Sequence, residues 1–433
     1  MLLFIRIVHI RYQKWYSMVI NRSSGILLHI TSLPGKYGIG TLGQEAYDFV
    51  DFLSESGQTY WQILPIGPVN PVLGFSPYAS TSTFAGNYLF ISIEELSKEP
   101  WFIGELHELI TDKNNDDHFV YYDEVIDIVL PILKKACEDF FNFDNAKALL
   151  KYEIFCKENS FWLDDFARFT VFAEHFETDC WLKWDKEIAL RNKRALDELT
   201  QKLKDEIKFQ KFLQYIFFRQ WDKLKDYCLM KNISIIGDIP IYISMDGAEA
   251  WSNPEILQLD KKTLEPEAVS GVPPDYFSET GQRWGNPLYQ WFNENNTLKE
   301  ETMQWWIQRI SHLNKYVDII RIDHFRGFES YWSIPADEET AIKGTWVPGP
   351  GKQFFNTLLE RLGDLPLIAE DLGIITPEVE TLRDDLQLPG MKILQFAFDF
   401  NNDNYYLPHN IDNKNCILYT GTHDNNTTNG WYY

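Results

Sequence analysis

The sequence predicts an α/β protein, a parallel TIM-type (β/α)8 barrel that carries insertions. Its 433 residues are enough for one large barrel around a single core. Short apolar runs recur along the chain, and each is followed by turn-forming or polar residues. Near-continuous apolar runs of this kind are typical of parallel strands that helices cover on both faces.

Seven of the eight strands of such a barrel are visible as apolar runs. The predicted strands are 26–29, 61–64, 234–239, 319–322, 367–369, 391–396 and 417–419. The fourth run is interrupted only by Arg321. Because the carboxyl ends of parallel strands meet at one face of a barrel, polar residues that follow these runs are expected to lie together there.

Two long segments between the predicted strands are expected to be insertions in a barrel domain that spans 25–433. Segment 88–231 has aromatic and charged residues at helical spacing, which predicts an inserted helical subdomain. Segment 246–287 is rich in Gly and Pro and is predicted to be a long ordered loop at the mouth of the barrel.

The first 24 residues form a separate N-terminal extension. Residues 1–21 contain no acidic side chain, and basic residues interrupt their apolar stretch, so the segment is too short and too charged to span a membrane. It also lacks the basic start and the small-residue cleavage site of a signal peptide. Two interpretations stay open: the true start is Met18, or the extension targets the chain to an organelle such as a plastid.

Composition indicates which kinds of binding partner and which cellular compartment to expect. Sixty-three acidic residues against forty basic ones give a formal charge of −23, which repels nucleic acids and anionic membranes and favours a neutral substrate. The five cysteines are an odd number without CxxC spacing. This usage predicts a reduced, intracellular protein, cytoplasmic unless the extension targets it elsewhere, without a zinc site.

Three carboxylates follow three of the predicted strands. They are Asp323, Glu370 and Asp424. Cleavage of a glycosidic bond is the commonest reaction that needs two carboxyl groups, one ionised and one protonated. Arg321 lies two residues before Asp323, hence on the same strand face, and is predicted to keep that carboxylate ionised. The leading hypothesis is therefore attack on a glycosidic bond.

A set of motifs in a fixed order extends this hypothesis. They are GILLHITSLP (25–34), SPY (76–78), FAGN (84–87), GDIPIY (237–242), GVPPDYF (271–277), GQRWGNP (281–287), RIDHFR (321–326), AEDLG (369–373) and GTHDN (421–425). In this order they resemble the 4-α-glucanotransferases, also called amylomaltases or disproportionating enzymes, of glycoside hydrolase family 77. The resemblance covers nearly the whole chain after Ser24 and is weakest in the helical insertion.

The resemblance implies roles for the carboxylates and their neighbour. Asp323 would be the nucleophile that forms a covalent glucosyl enzyme, and Glu370 the acid/base. Asp424 would hold sugar hydroxyls and stabilise the transition state. His423 would bind a sugar hydroxyl, with a structural histidine as the alternative.

Further substrate contacts are implied by the same motifs. Tyr78 would stack on the sugar next to the cleaved bond, and Trp284 would line the acceptor side unless it is only a loop anchor. Asp275 and Asp238 are further candidates. Asp238 would either bind the substrate or link to Arg321.

The implied substrates are an α-1,4-glucan donor and a glucose or maltooligosaccharide acceptor. No cofactor is expected, because the chain has no GxGxxG after a strand, no Walker loop and no clustered His/Cys ligands, and nothing calls for pyridoxal phosphate. The segment 269–287 is a candidate lid that would exclude water from the intermediate. A truncated non-catalytic glucan-binding relic and an α-glucan hydrolase are the alternative functions.

Departures from the family pattern occur near the motifs and at the end of the chain. Phe75 replaces an acidic residue, Ala79 a common Gln, and Asn426 a frequent acid. The chain ends at Tyr433, where family members continue with an eighth strand and closing helices. We therefore expect a barrel without its last β/α unit, from a truncated reading frame, with the first and seventh strands not hydrogen-bonded to each other.

Overall fold

The computed structural model describes residues 22–103, 119–275 and 278–433. Nearly all of the N-terminal extension therefore lies outside the described residues. The strands are β1 Gly25–Leu27, β2 Tyr60–Gln62, β3 Ser234–Ile239, β4 Ala268–Val272, β5 Gln282–Pro287, β6 Ile319–Ile322, β7 Ser330–Pro335, β8 Thr345–Pro348, β9 Leu367–Ala369, β10 Gly390–Ile393 and β11 Cys416–Tyr419.

The helices of the described residues lie between these strands, except the last, which follows β11. They are α1 Gln44–Glu55, α2 Ile93–Ser97, α3 Tyr122–Asn142, α4 Ala146–Glu158, α5 Ser160–His175, α6 Lys186–Ala189, α7 Lys193–Lys202, α8 Lys204–Met230, α9 Ala248–Ser252, α10 Glu300–Tyr316, α11 Gly351–Leu362, α12 Pro377–Asp385 and α13 Thr428–Tyr432. Within the described ranges, none of these helices is long and apolar enough to cross a membrane.

The barrel consists of the seven predicted parallel strands, which are confirmed. Strands β1, β2, β3, β6 and β9 pair in that order, and β10 pairs with β11. The amide of Ala369 donates to Pro389 O at 2.9 Å and joins β9 to the start of β10. The sixth predicted strand ends early, at Ile393, because the chain turns there into a 3-10 helix over Leu394–Ala397.

The interior of the barrel has an apolar core, and side-chain hydrogen bonds cross it between strands that are not neighbours. Its buried core residues are Ile236, Ile319, Ile368, Met391 and Ile393. The hydroxyl of Tyr419 on β11 donates to Gln62 Oε1 on β2 at 2.7 Å. Among the described residues, β1 pairs only with β2 and β11 only with β10, so the two strands are not hydrogen-bonded to each other, as predicted.

The segment between β2 and β3 is mainly helical and is organised around α8. Two glutamines of α8 bind the backbone of the segment that follows the SPY motif. Gln214 accepts from Gly86 N at 2.7 Å and donates to Gly86 O at 2.9 Å. Gln220 makes the same pair of bonds to Ser92, at 2.8 and 3.0 Å. A Cβ at Gly86 would overlap the ring of Phe217 on α8, so this close approach requires glycine.

A four-stranded antiparallel sheet in the order β5-β4-β7-β8 lies outside the barrel. It corrects the prediction that 246–287 is one long loop, because this segment contains α9, β4 and β5. The Gly and Pro content of the segment was misleading: Gly271 lies in β4, where a Cβ would overlap the carbonyl of Gln282. The central pairing joins β4 to β7, from Ala268↔Pro335 to Gly271↔Trp332, and such a distant partner leaves no local sequence signal.

Candidate active site

The candidate site is organised around Arg321 in β6. Its Nη1 donates to Asp238 Oδ2 at 2.6 Å and to Asp323 Oδ1 at 2.9 Å. Asp238 lies directly opposite Arg321 in the β3–β6 register, and Asp323 lies two residues on, where side chains return to the same face. One guanidinium therefore holds two carboxylates from neighbouring strands.

Asp238 lies behind the site and also binds Tyr78. The Tyr78 hydroxyl donates to Asp238 Oδ2 at 2.7 Å. Asp238 is buried and does not line the main cleft. The link between Asp238 and Arg321, one of the two predicted possibilities, is therefore present. Burial, followed by the charge of Asp238, raises the pKa of Tyr78, so its hydroxyl stays a donor.

Glu370 follows β9 and is fixed by two backbone amides. Its Oε2 accepts from His324 N at 2.7 Å, and its Oε1 accepts from Leu372 N at 2.8 Å. His324 has the left-handed conformation, with φ of 51°, which costs energy in a non-glycine residue. Burial raises the pKa of Glu370, against the opposing effects of Arg321 and the two amides.

Opposing effects set the pKa of Asp323. Burial raises the pKa of this carboxyl, and the negative charges of Asp238 and Glu370 add to the rise. Arg321 opposes the shift but does not reverse it. The sequence predicted that Arg321 keeps Asp323 ionised. The link from Asp238 to Arg321 was one of two possibilities that the sequence left open, and the opposing effect of burial was not foreseen.

Asp424 and His423 follow β11 on another side of the site. His423 Nε2 lies 3.2 Å from Asp424 Oδ1, and the Asp424 side chain is 70% exposed. The His423 ring stacks on the ring of Tyr78 with 5.2 Å between centroids and 8° between planes. Burial lowers the pKa of His423, and Asp424 opposes this effect. Asp424 is therefore far more open to solvent than the other two carboxylates.

A single cleft of about 1390 Å³ brings most of the predicted site residues together. Its lining includes the predicted residues Tyr78, Asp275, Trp284, Arg321, Asp323, Glu370, His423 and Asp424. Carboxyl groups thus face one space that is larger than a typical small-molecule pocket. Within the described residues no cluster of His, Cys, Asp and Glu side chains has the arrangement of a metal site.

Trp284 and Asp275 lie in or next to the antiparallel sheet. Trp284 is in β5, is 39% exposed, and meets the His324 ring edge-on with 4.8 Å between centroids. Asp275 Oδ1 accepts from Ser278 N at 2.9 Å. Trp284, for which a role as a loop anchor was the alternative, lines the cleft.

Several aromatic residues of the cleft were not predicted from the sequence as site residues. They are Phe396, Tyr405, Tyr406 and Trp346. The two tyrosines follow the polar segment Asn401 to Asn404, and large aromatic residues in so polar a stretch were a usable signal. Trp346 lies in β8, whose pairing with β7 had no local signal.

The match to known families agrees with this geometry. The sequence profile of the family described as 4-alpha-glucanotransferase matches residues 28–433. The chain belongs to the 4-alpha-glucanotransferase family. The resemblance drawn from the nine motifs is therefore confirmed. Membership supports glucan transfer, the activity that names the family, and does not support a glucan-binding relic or a hydrolase.

Relatives in this family come from bacteria and plants. The 4-alpha-glucanotransferase of Clostridium butyricum is 47% identical over 94% of this chain and 81% of its own length. That of Thermus thermophilus is 44% identical over 96% of this chain and 81% of its own. The chloroplastic/amyloplastic enzyme of Solanum tuberosum is 41% identical over 95% of this chain and 70% of its own.

Solved structures of amylomaltases share the fold. The amylomaltase of Streptococcus agalactiae in complex with acarbose superposes with a TM-score of 0.88 at 43% identity, over 95% of this chain and 81% of that chain. The amylomaltase of Corynebacterium glutamicum has a TM-score of 0.67 at 20% identity, over 86% of this chain and 51% of that chain, which shows the fold alone. The predicted TIM-barrel class is confirmed.

Proposed function

We propose that this member of the family transfers α-1,4-glucan segments from a donor chain to a glucose or maltooligosaccharide acceptor by a retaining double displacement. Asp323 is the nucleophile and Glu370 the acid/base. The observation that carries this assignment is the placement of both carboxyls on one cleft, with Arg321 bonded to Asp323 at 2.9 Å. Retaining enzymes use two carboxyl groups in these two roles.

The charges around Arg321 support these roles for Asp323 and Glu370. Asp238 already balances the guanidinium, so the ionisation of both Asp323 and Glu370 would leave an excess negative charge in a buried site. The pair therefore shares one proton near neutral pH. Arg321 donates to Asp323, so the charge is placed on the nucleophile and the proton on Glu370.

In the first step, the Asp323 carboxylate attacks the anomeric carbon while Glu370 gives its proton to the departing glycosidic oxygen. A glucosyl ester forms, and the shortened chain leaves as an alcohol. In the second step, the acceptor hydroxyl gives its proton to Glu370 and attacks the ester. Asp323 is released as a carboxylate, so protons and charges return to the starting state.

The remaining residues of the cleft are proposed to bind sugars. Tyr78 is held by Asp238 and has one ring face against His423, and it is proposed to stack on the sugar next to the cleaved bond. His423 and Asp424 bind hydroxyls, and Asp275 supplies a further acceptor. Trp284 covers the acceptor side and, with the 246–287 segment, keeps water from the ester so that transfer outcompetes hydrolysis.

Domain organisation and location follow the same proposal. The barrel domain spans 25–433, with the helical insertion at 88–231. Five cysteines without disulfides within the described structure support an intracellular location.

Maltotriose tests the proposal. Incubation of the protein with maltotriose should yield glucose together with a ladder of longer glucans. Glucose and maltose without longer products would show hydrolysis instead. No conversion at all would contradict the proposed function.

A further inference from the structure

Trp346 occupies a position in the cleft that the proposed function does not use. It lies in β8 at the edge of the antiparallel sheet, and it lines the same cleft as Asp323 and Glu370. The side chain is 40% exposed, although an indole is among the largest apolar groups in proteins. An exposed tryptophan on the wall of a sugar-binding cleft is suited to stacking on a sugar.

The indole of Trp346 is fixed from two directions. The Arg326 guanidinium carbon lies 3.9 Å from the ring centroid, and Arg326 is itself buried. Arg326 also donates to the carbonyl of Ile374, in the segment that follows Glu370. On the neighbouring strand, Trp332 meets the Trp346 ring at 5.1 Å and 65°. A ring held in this way loses little side-chain entropy when a ligand binds.

Trp346 and Trp284 lie on opposite edges of one sheet. The strand order is β5-β4-β7-β8, with Trp284 in β5 and Trp346 in β8. Three strand spacings of about 4.8 Å separate the two edges by roughly 14 Å. One glucosyl unit is too small to contact both rings, so the two tryptophans must contact different units of a bound chain.

We propose that Trp346 is a stacking platform for a glucosyl unit remote from the cleaved bond, with Arg326 as its positioning residue. The proposal rests on the proposed glucan transfer and deepens it. The apolar C–H face of a glucose ring stacks on the exposed part of the indole, while the cation behind the ring keeps the plane in place. Trp346 therefore gives the protein a preference for long glucans over short ones.

A purely structural role for Trp346 makes a different prediction. Trp346 is directly opposite Trp332 in the β7–β8 register, so the indole also stabilises the sheet. Loss of that packing would lower thermal stability and would affect all substrates equally. Dependence on chain length separates the two roles.

The test compares Trp346→Ala with Trp346→Phe, which keeps a flat ring. Values of kcat/KM are measured for maltotriose and maltoheptaose. The alanine variant should lose roughly 3- to 10-fold on maltoheptaose, mainly through KM, and less than about 2-fold on maltotriose, as expected for one aromatic stack. The phenylalanine variant should keep most of the preference. An equal loss on both substrates, or no loss on maltoheptaose, would overturn the proposal.

Binding measured by calorimetry tests the stacking role of Trp346 without depending on transfer activity. If the parent protein transfers no glucan from either substrate, the proposed function fails. The dissociation constants of maltotriose and maltoheptaose then show whether Trp346 contacts a bound glucan. Weaker binding of maltoheptaose alone by Trp346→Ala supports the platform, and unchanged binding contradicts it. A melting curve of each variant confirms that the fold is retained.

Discussion

Arg321 and Asp238 form a buried ion pair between adjacent strands, with 2.6 Å from Nη1 to Oδ2. The same nitrogen reaches Asp323 at 2.9 Å. The charge on Asp323, the proposed nucleophile, is therefore expected to depend on a carboxylate that does not line the cleft. We therefore expect Asp238 to set part of the pH dependence of the reaction.

Asp238→Asn should move the acidic limb of the kcat/KM profile to lower pH. Asp238 raises the pKa of Asp323, and its neutralisation lets the nucleophile ionise more easily. The maximal rate should fall at the same time, because the Tyr78 hydroxyl and Arg321 lose a charged partner. Profiles of kcat/KM over roughly pH 4 to 9, a range that begins near the ordinary carboxyl pKa and extends well above it, measure the effect.

The control for this shift is Asp275→Asn, which removes a carboxylate of the same cleft that is not among the main influences on Asp323. It should leave the acidic limb in place. If the acidic limb does not move in Asp238→Asn, Asp238 does not influence the pKa of Asp323, and the prediction is wrong.

Glu370→Gln should lower kcat on maltotriose by about 10²- to 10⁴-fold, because the glutamine cannot protonate the leaving oxygen. The amide retains the size of the side chain and one of the two acceptors for the amides of His324 and Leu372. The melting curve should therefore stay cooperative. Turnover close to that of the parent would refute the acid/base role.

Acid should destabilise the fold through buried histidines. Burial lowers the pKa values of His29, His312 and His324 to about 3. Their pKa in the unfolded chain is about 6.5, so unfolding takes up protons as the pH falls. Their contribution to stability is complete above pH ~6.5 and is lost progressively between there and about pH 3.

His312→Gln tests this linkage. His312 Nε2 lies 2.8 Å from Phe84 O, a bond that glutamine can replace. In the variant, the slope of the unfolding free energy against pH between pH 7 and pH 5 should be smaller by up to about 1.4 kcal/mol per pH unit. Denaturant titrations measure the slope, with the exposed His409→Gln as the control that should leave it unchanged. An unaltered slope in His312→Gln would contradict the linkage.

Gly86→Ala should destabilise the protein by about 1–3 kcal/mol, because its methyl group overlaps the Phe217 ring. Phe217→Leu vacates part of that space, so the double variant should lose less than the sum of the single losses. Thermal melts of the three variants measure the coupling. Strict additivity would show that the two side chains do not compete for the same space.

The barrel was predictable because its strands are locally apolar. β6 and β9 carry continuous buried residues, and the carboxylates follow at their carboxyl ends, so the placement of Asp323 and Glu370 on one cleft could be expected. The antiparallel sheet was not predictable, since β4 is rich in small residues and its partner β7 comes much later in the chain.

The electrostatics of the site were only partly predictable. The spacing of Arg321 and Asp323 placed them on one strand face, as observed. The link from Arg321 to Asp238 was one of two possibilities that the sequence left open, because the β3–β6 register that pairs the two residues has no local pattern. The exposure of Asp424 was likewise hidden, because it depends on what surrounds the end of β11.

The most direct test of the central claim is covalent trapping of the nucleophile with a fluorinated glucosyl donor, followed by peptide mass spectrometry. The fluorine slows breakdown of the ester, so the intermediate accumulates. The parent protein should carry the label on Asp323, and Asp323→Asn, which cannot form the ester, should stay unlabelled. Label on Asp424 in the parent, or labelling of Asp323→Asn at the parent level, would contradict the account.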